Sequence, residues 1–408
     1  MNTRGWWSKI VGLAIAALIS GVLLAGLAVA ADEIVLGAAI AQTGKYAREG
    51  KFYVDAYTLT VDAVNKAGGV RIGGKPYKLS LKLYDDQSDP NLSVRLFTRL
   101  VTSDKVNFLL GPYSSGITIP ASAVSEKYEV PMVQGGGASG KIFDRGYKYI
   151  FGTLPKAELY FKSAIEAATK LTPAVRTAAL LYSNEAFDRS VAEGARRWLK
   201  EARLDKVYDE EYQPATQDFT SVLAVLKTKN PDLILVAGHE ENALNFIRQS
   251  QAADLNSRMM VFTVGPPTAD FRKTLGKAAE YVYGITPWLP DMEVGGEIFK
   301  SARDFATQFQ ARFGYAADYH VASGAADVLV YKFALEKAGS LEPKKVRDAL
   351  AALDVETLYG RVKFEASGQI AIDQVVVQIQ SGNVVPVYAG GKLVGKPLYP
   401  TPKWSERK

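Results

Sequence analysis

Two adjacent hydroxyls, Ser114 and Ser115, follow the apolar run 106–110 across Gly111-Pro112-Tyr113. A serine at the start of a helix ordinarily serves as its N-cap. The same place, where free main-chain N–H groups and the positive helix end point outward, also captures a small anion. A second loop, Gly135-Gly136-Gly137-Ala138-Ser139-Gly140-Lys141-Ile142, follows the next apolar run. Its glycines permit a turn whose backbone N–H groups cradle an anion. It approaches the nucleotide P-loop pattern and departs from it at Ile142, where a metal-holding hydroxyl is required. Other chemistries lack their residues. The two histidines, His239 and His320, have no partner at metal-ligand spacing, cysteine is absent, and no Gly-x-Ser-x-Gly elbow occurs; these absences point away from an enzyme, a metal and a cofactor. The run Tyr84-Asp85-Asp86-Gln87-Ser88-Asp89-Pro90 reads as a cap on a helix that starts at Pro90, ahead of a cation loop.

Positioning these loops falls to alternating strands and helices. Periodicity predicts strands over 33–40, 77–84, 106–110, 130–134 and 147–151, with helices over 50–67, 90–103 and 116–127 between them. The pattern then restarts, with strands over 175–182, 206–212, 232–237 and 258–263 and helices over 157–170, 186–202, 217–228 and 240–253. Helices over 296–313, 320–338 and 343–352 follow, then hairpin strands over 359–364, 372–379 and 384–388. Two successive units of similar size imply an α/β chain of two lobes, each a mostly parallel sheet flanked by helices. In such sheets ligands sit beyond the carboxyl ends of the strands, where both glycine-bearing loops fall.

The N-terminus reads as an export leader. Arg4 and Lys9 precede an apolar run from Ile10 to Ala30, and Ala28-Val29-Ala30 fits a small-x-small cleavage site. The run, at roughly 20 residues, is also long enough to remain as a membrane anchor. Cleavage would lower the formal net charge of +6 by two. The basic residues are interleaved with acids and form no block, so nucleic acid is not an expected partner.

Together these residues resemble the type I periplasmic solute-binding proteins of ABC importers, in the leucine/isoleucine/valine-binding branch. The resemblance is carried by Thr43-Gly44 with Ala47 and Gly50, Val64-Asn65 with Ala67-Gly68-Gly69-Val70, and Asp85-Asp86 with Asp89-Pro90. Further along it is carried by Gly111 to Gly116, Arg145-Gly146-Tyr147, and Tyr359-Gly360 with Val362 and Phe364. It implies two lobes joined by three crossover hinge segments around a cleft: lobe 1 from 32–153 plus 285–360, lobe 2 from 154–284 plus 361–395, a tail over 396–408 and a leader over 1–30. It further implies a periplasmic monomer that hands a small carboxylate solute to an inner-membrane ABC permease. The rival is a ligand-sensing receptor domain of the same fold, tethered by an uncleaved leader. Some members join the loops after the Asp-Asp and Gly-Pro motifs by a disulfide; the similar positions here are Ser88 and Ser114.

By resemblance Ser115, Tyr113, Gly137, Ala138 and Ser139 meet the ligand carboxylate, while Tyr46, Glu49, Phe187, His239, Glu240, Val264, Trp288 and His320 line the cleft. The acid that pairs with an amino-acid ammonium in relatives is replaced by Val264. Two alternatives follow: Glu240, Glu241 or Glu49 supplies the lost charge, or the solute is an aromatic or aliphatic carboxylic acid without an ammonium.

Overall fold

The computed structural model describes residues 32–407; the expected leader lies outside them. The first sheet is built from β1 (Asp32–Ile40), β2 (Val70–Ile72), β3 (Lys75–Asp85), β4 (Phe108–Leu110), β5 (Met132–Gln134) and β6 (Ile150–Gly152), in the order β2-β3-β1-β4-β5-β6. All neighbours run parallel except β2 against β3. Its helices are α1 (Ala47–Lys66), α2 (Pro90–Thr102) and α3 (Ser115–Tyr128). Asp89 caps α2 by accepting from the Leu92 N–H, and Asp85 accepts from the main chain of Gln42, Thr43 and Gln87. The Asp-rich run is thus a cap and a loop organiser.

The chain then enters a second sheet through α4 (Lys162–Thr169). It continues through β7 (Thr177–Ser183), α5 (Ala186–Glu201), β8 (Asp205–Tyr212), α6 (Thr220–Lys229), β9 (Leu233–Ala237), α7 (Glu240–Ala252), β10 (Met259–Phe262), α8 (Ala269–Leu275) and β11 (Tyr283–Thr286). It returns to the first unit as α9 (Ala302–Phe313), α10 (Tyr319–Ala338) and α11 (Pro343–Ala351), and passes through the hairpin β12 (Asp354–Thr357) and β13 (Gly360–Lys363). The strands β14 (Val375–Gln380), β15 (Asn383–Ala389) and β16 (Lys392–Leu393) close the second sheet, whose order is β16-β15-β14-β11-β10-β9-β7-β8.

Helix α10 is buried over most of its surface and packs on α1. The Tyr331 hydroxyl on it lies 2.7 Å from the carbonyls of both Leu109 and Pro131. Asp318 caps its first turn by accepting from the main-chain N–H groups of His320 and Val321. This capped end delivers Tyr319 and His320 to the space between the two sheets.

Several elements differ from the periodicity reading. The helix expected over 157–170 breaks into a short 3-10 turn and α4, because the Glu158 carbonyl accepts from the Trp198 indole at 2.7 Å instead of continuing an α ladder. The helix expected from 296 starts at Ala302, where Ser301 caps it. Residues 361–363, expected with the second unit, pair with β12, a strand that the pattern did not reveal. Ile285 and Thr286, expected with the first unit, complete β11 against Val376 and Val375 of β14.

Candidate functional site

The anion-loop geometry begins with backbone crowding. A Cβ on Gly136 would lie 2.3 Å from the Pro112 carbonyl oxygen, so glycine there lets the two loops touch. Gln134 holds the second loop in place: its Oε1 accepts from the Gly136 and Gly137 N–H groups at 3.1 and 2.6 Å, and its Nε2 donates to the Gly137 carbonyl at 2.9 Å. Across from it, the Ser115 hydroxyl at the start of α3 accepts from the Ala138 and Ser139 N–H groups at 3.1 and 3.2 Å. Ser114, the N-cap residue, makes no side-chain cap bond. The Ser115 hydroxyl, held by these two main-chain N–H groups at a helix N-terminus, keeps its own proton to donate, which suits it to a carboxylate.

That spot is one end of a small cavity with an empty volume of about 280 Å³, counting the space open to solvent. Tyr113, Ser114, Ser115, Gly136 and Ala138 line it from the first unit, and Leu154, Tyr160, Phe187, His239 and Val264 from the second. Tyr319 and His320 close it from α10, with their rings stacked at a centroid distance of 3.9 Å. The remaining rings meet edge-on or tilted: Tyr160 lies 5.1 Å from Phe187, and Tyr113 lies 5.7 Å from His320 and 5.8 Å from His239. Such pairs favour a flat, partly apolar occupant. A larger groove of about 1140 Å³ empty volume, lined by Leu289, Pro290, Met292 and Pro386 among others, contains none of the residues singled out from sequence.

The cavity brings together Ser115, Tyr113, Ala138, Phe187, His239, Val264 and His320. The other expected residues stand around it. Tyr46 forms a second layer, with its ring 5.4 Å from Tyr113 and its hydroxyl donating to Glu185 at 2.8 Å. The Ser139 hydroxyl is turned to Ser190 at 2.7 Å, and Gly137 is engaged by Gln134. Glu240 binds Arg48 at 2.6 Å and accepts from Thr268 at 2.8 Å, with Glu49 on the flank of Arg48 at 3.9 Å. Trp288 stands apart: its indole donates to the Leu358 carbonyl at 2.9 Å and packs against Phe305. Sequence reading passed over Tyr160, Leu154 and Tyr319. Of these only Tyr319 had a signal, as the neighbour of His320.

The two units are tied across the cavity. Lys45 and Tyr46 both bind Glu185, Tyr113 contacts the His239 Nδ1 at 3.1 Å, and Arg48 spans to Glu240 and Asp270. Burial holds the His239 imidazole below its ordinary value, so it is neutral at neutral pH. Burial pushes the Glu185 carboxyl up, but His239, Lys45 and Tyr46 together carry it below the usual range. The Asp318 carboxyl behaves likewise: burial raises it, while His320 and the Val321 N–H bring it down on balance. Replacing Arg48 with methionine removes the rim pair and leaves Glu240 buried without its cation. Solute affinity is expected to fall roughly tenfold, about 1–2 kcal/mol, because the contact ties the two units around the cavity. Calorimetry reads the affinity and small-angle scattering the opening; an unchanged affinity and radius of gyration would show that the pair does not hold the units together.

Against known proteins, the family model described as "Periplasmic binding protein" matches residues 33–383. The leucine-, isoleucine-, valine-, threonine- and alanine-binding protein of Pseudomonas aeruginosa is 25% identical over 356 residues, which cover 86% of this chain and 92% of that one. Among solved structures, the branched-chain amino acid transporter substrate binding protein of Streptococcus pneumoniae, in complex with isoleucine, superposes with a TM-score of 0.77 at 23% identity, covering 88% of this chain and 100% of that chain. An ABC transporter solute binding protein from R. palustris in complex with benzoate superposes with a TM-score of 0.75 at 18% identity, covering 87% and 96% of the two chains. With the family model covering nearly all of the described residues, this chain belongs to the periplasmic binding protein family.

Proposed function

We propose that this protein captures a small carboxylic acid with a flat ring, closes two lobes around it, and delivers it to an ABC permease after leader-directed export. The observation that supports this most directly is the composition of the cavity wall. Six of its twelve residues carry aromatic rings, one end holds the Ser115 hydroxyl with the loop N–H groups, and none is acidic. The lobes are taken as 32–153 plus 287–363 and 154–286 plus 364–395, which keeps β11 whole in the second and the β12–β13 hairpin whole in the first.

Of the two alternatives left by the sequence, this geometry supports the acid without an ammonium. Glu240 is held by Arg48 and Thr268, Glu49 lies 3.9 Å from the same guanidinium, and Glu241 points outward to Gln217. An α-ammonium buried without a carboxylate would cost several kcal/mol. A ring that buries about 100 Å² of apolar surface contributes roughly 2.5 kcal/mol instead, at 25 cal/mol per Å². A benzoate-bound relative of the same fold is consistent with this reading, while the isoleucine-bound one marks its rival.

Titration calorimetry with benzoate, phenylacetate and leucine tests it. The ring acids are expected to bind in the micromolar range and leucine not to bind. Tighter binding of leucine than of either ring acid would overturn the assignment.

A further inference from the structure

Beside the solute cavity, and sharing His239 with its wall, lies a second constellation. Strands β7 and β9 are neighbours in the second sheet, with Tyr182 paired to Ala237. The loops beyond their carboxyl ends therefore emerge side by side. The first supplies Glu185, the N-cap residue of α5, and Asp188 in its first turn; the second supplies His239, the N-cap residue of α7. One ligand atom from each of these three lies within 4.8 Å of the others, and the Glu185 Oε2 to His239 Nε2 distance is 3.6 Å. No spacing in the sequence signals this, because the fold alone brings the two loops together.

The atoms that face one another are those left unused. Glu185 spends its Oε1 on Lys45 at 2.7 Å and Tyr46 at 2.8 Å, while its Oε2 is buried without a hydrogen-bond partner among the described residues. His239 spends Nδ1 on Tyr113 at 3.1 Å, and its Nε2 is likewise unpartnered. Asp188 is wholly buried, and neither of its carboxylate oxygens has a hydrogen-bond partner among the described residues. Buried polar atoms without partners, one from each of three residues facing the others, are costly unless something bridges them.

We infer that Glu185, Asp188 and His239 form a binding site for a divalent transition cation of the Zn²⁺ class. One imidazole nitrogen with two carboxylates is a suitable ligand set for such an ion. Tetrahedral coordination at 2.0–2.1 Å separates ligand atoms by about 3.3 Å, so small side-chain rotations close the present spacing. The outer contacts fit as well. The His239 Nδ1 meets the Tyr113 hydroxyl and the Glu185 Oε1 is held by Lys45 and Tyr46, an arrangement that orients both ligands from behind.

The test is Zn²⁺ titration of the full chain after dialysis against a chelator, read by competition with a chromophoric chelator and by thermal shift. Wild type is expected to bind one equivalent and to melt at a higher temperature with Zn²⁺ present. Asp188→Asn and Glu185→Gln are each expected to weaken binding at least about 100-fold, since each removes a direct ligand. Glu185 is only partly buried, so that variant serves if the Asp188 one fails to fold. Circular dichroism verifies the fold of each. Absence of binding in wild type up to millimolar Zn²⁺, or one-equivalent binding that persists in a folded variant, would overturn the site.

Discussion

Ser115→Asp is expected to abolish carboxylate capture without unfolding the protein. The introduced carboxylate can still accept the Ala138 and Ser139 N–H groups that the serine hydroxyl accepts now, so the contact between the two loops is kept. It also places a fixed negative charge where the solute's own carboxylate is proposed to sit. Ser115 is buried at 1% exposure, so water screens the repulsion poorly. Two like charges about 4 Å apart at an effective dielectric constant near 20 repel by about 4 kcal/mol, roughly a thousandfold in affinity. The milder Ser115→Ala removes the hydroxyl with its two loop contacts and is expected to weaken binding about ten- to a hundredfold, in line with about 1.5–3 kcal/mol for a hydrogen bond to a charged group. Calorimetry with the tightest-binding ring acid measures both. An Asp variant that retains affinity within fivefold of wild type would remove Ser115 from the anion end.

Asp327→Asn is expected to stabilise the protein increasingly as pH rises. Asp327 sits on α10, fully buried, accepting from Thr153 at 2.7 Å and lying 3.4 Å from the Tyr57 hydroxyl. Burial pushes its carboxyl up to about 8 from the ordinary value of 3.8. The folded state therefore keeps a proton that the unfolded chain gives up, and this contribution is full below the unfolded value and lost as pH climbs towards the folded one. Between these limits the wild type loses up to about 1.4 kcal/mol per pH unit from this group. Asparagine retains an oxygen for Thr153 and has no proton to lose. The stability difference between variant and wild type should thus grow by about 2–4 kcal/mol from pH 5 to pH 8. Urea denaturation at the two pH values measures it, and a difference that does not change with pH would show that Asp327 is not held protonated.

The alternation of strands and helices was legible because each period is local: Ile34, Leu36, Ala38 and Ile40 alternate on β1, and nothing distant is needed to read them. The hydroxyl and glycine loops were legible for the same reason. Trp288 was not. Its neighbours Pro287 and Pro290 leave the facing of the indole open, and the Leu358 carbonyl that settles it is far along the chain. Glu240 presents the same problem in electrostatic form, since its role depends on Arg48 from the other unit. Tyr160 escaped notice because it lies where a regular helix was expected, and it is the Trp198 contact with Glu158 that reshapes that turn. Local pattern foretells elements; pairings across the cleft decide which side chains reach the cavity.

The N–H groups that face Ser115 belong to the main chain of Ala138 and Ser139. A main-chain donor survives every replacement except proline. Descendants of this chain inherit those donors whatever happens to the side chains nearby, whereas Phe187, His239 and Val264 can drift one position at a time. Gene duplication followed by the exchange of a few wall residues is then enough to found a new solute preference on an unchanged frame.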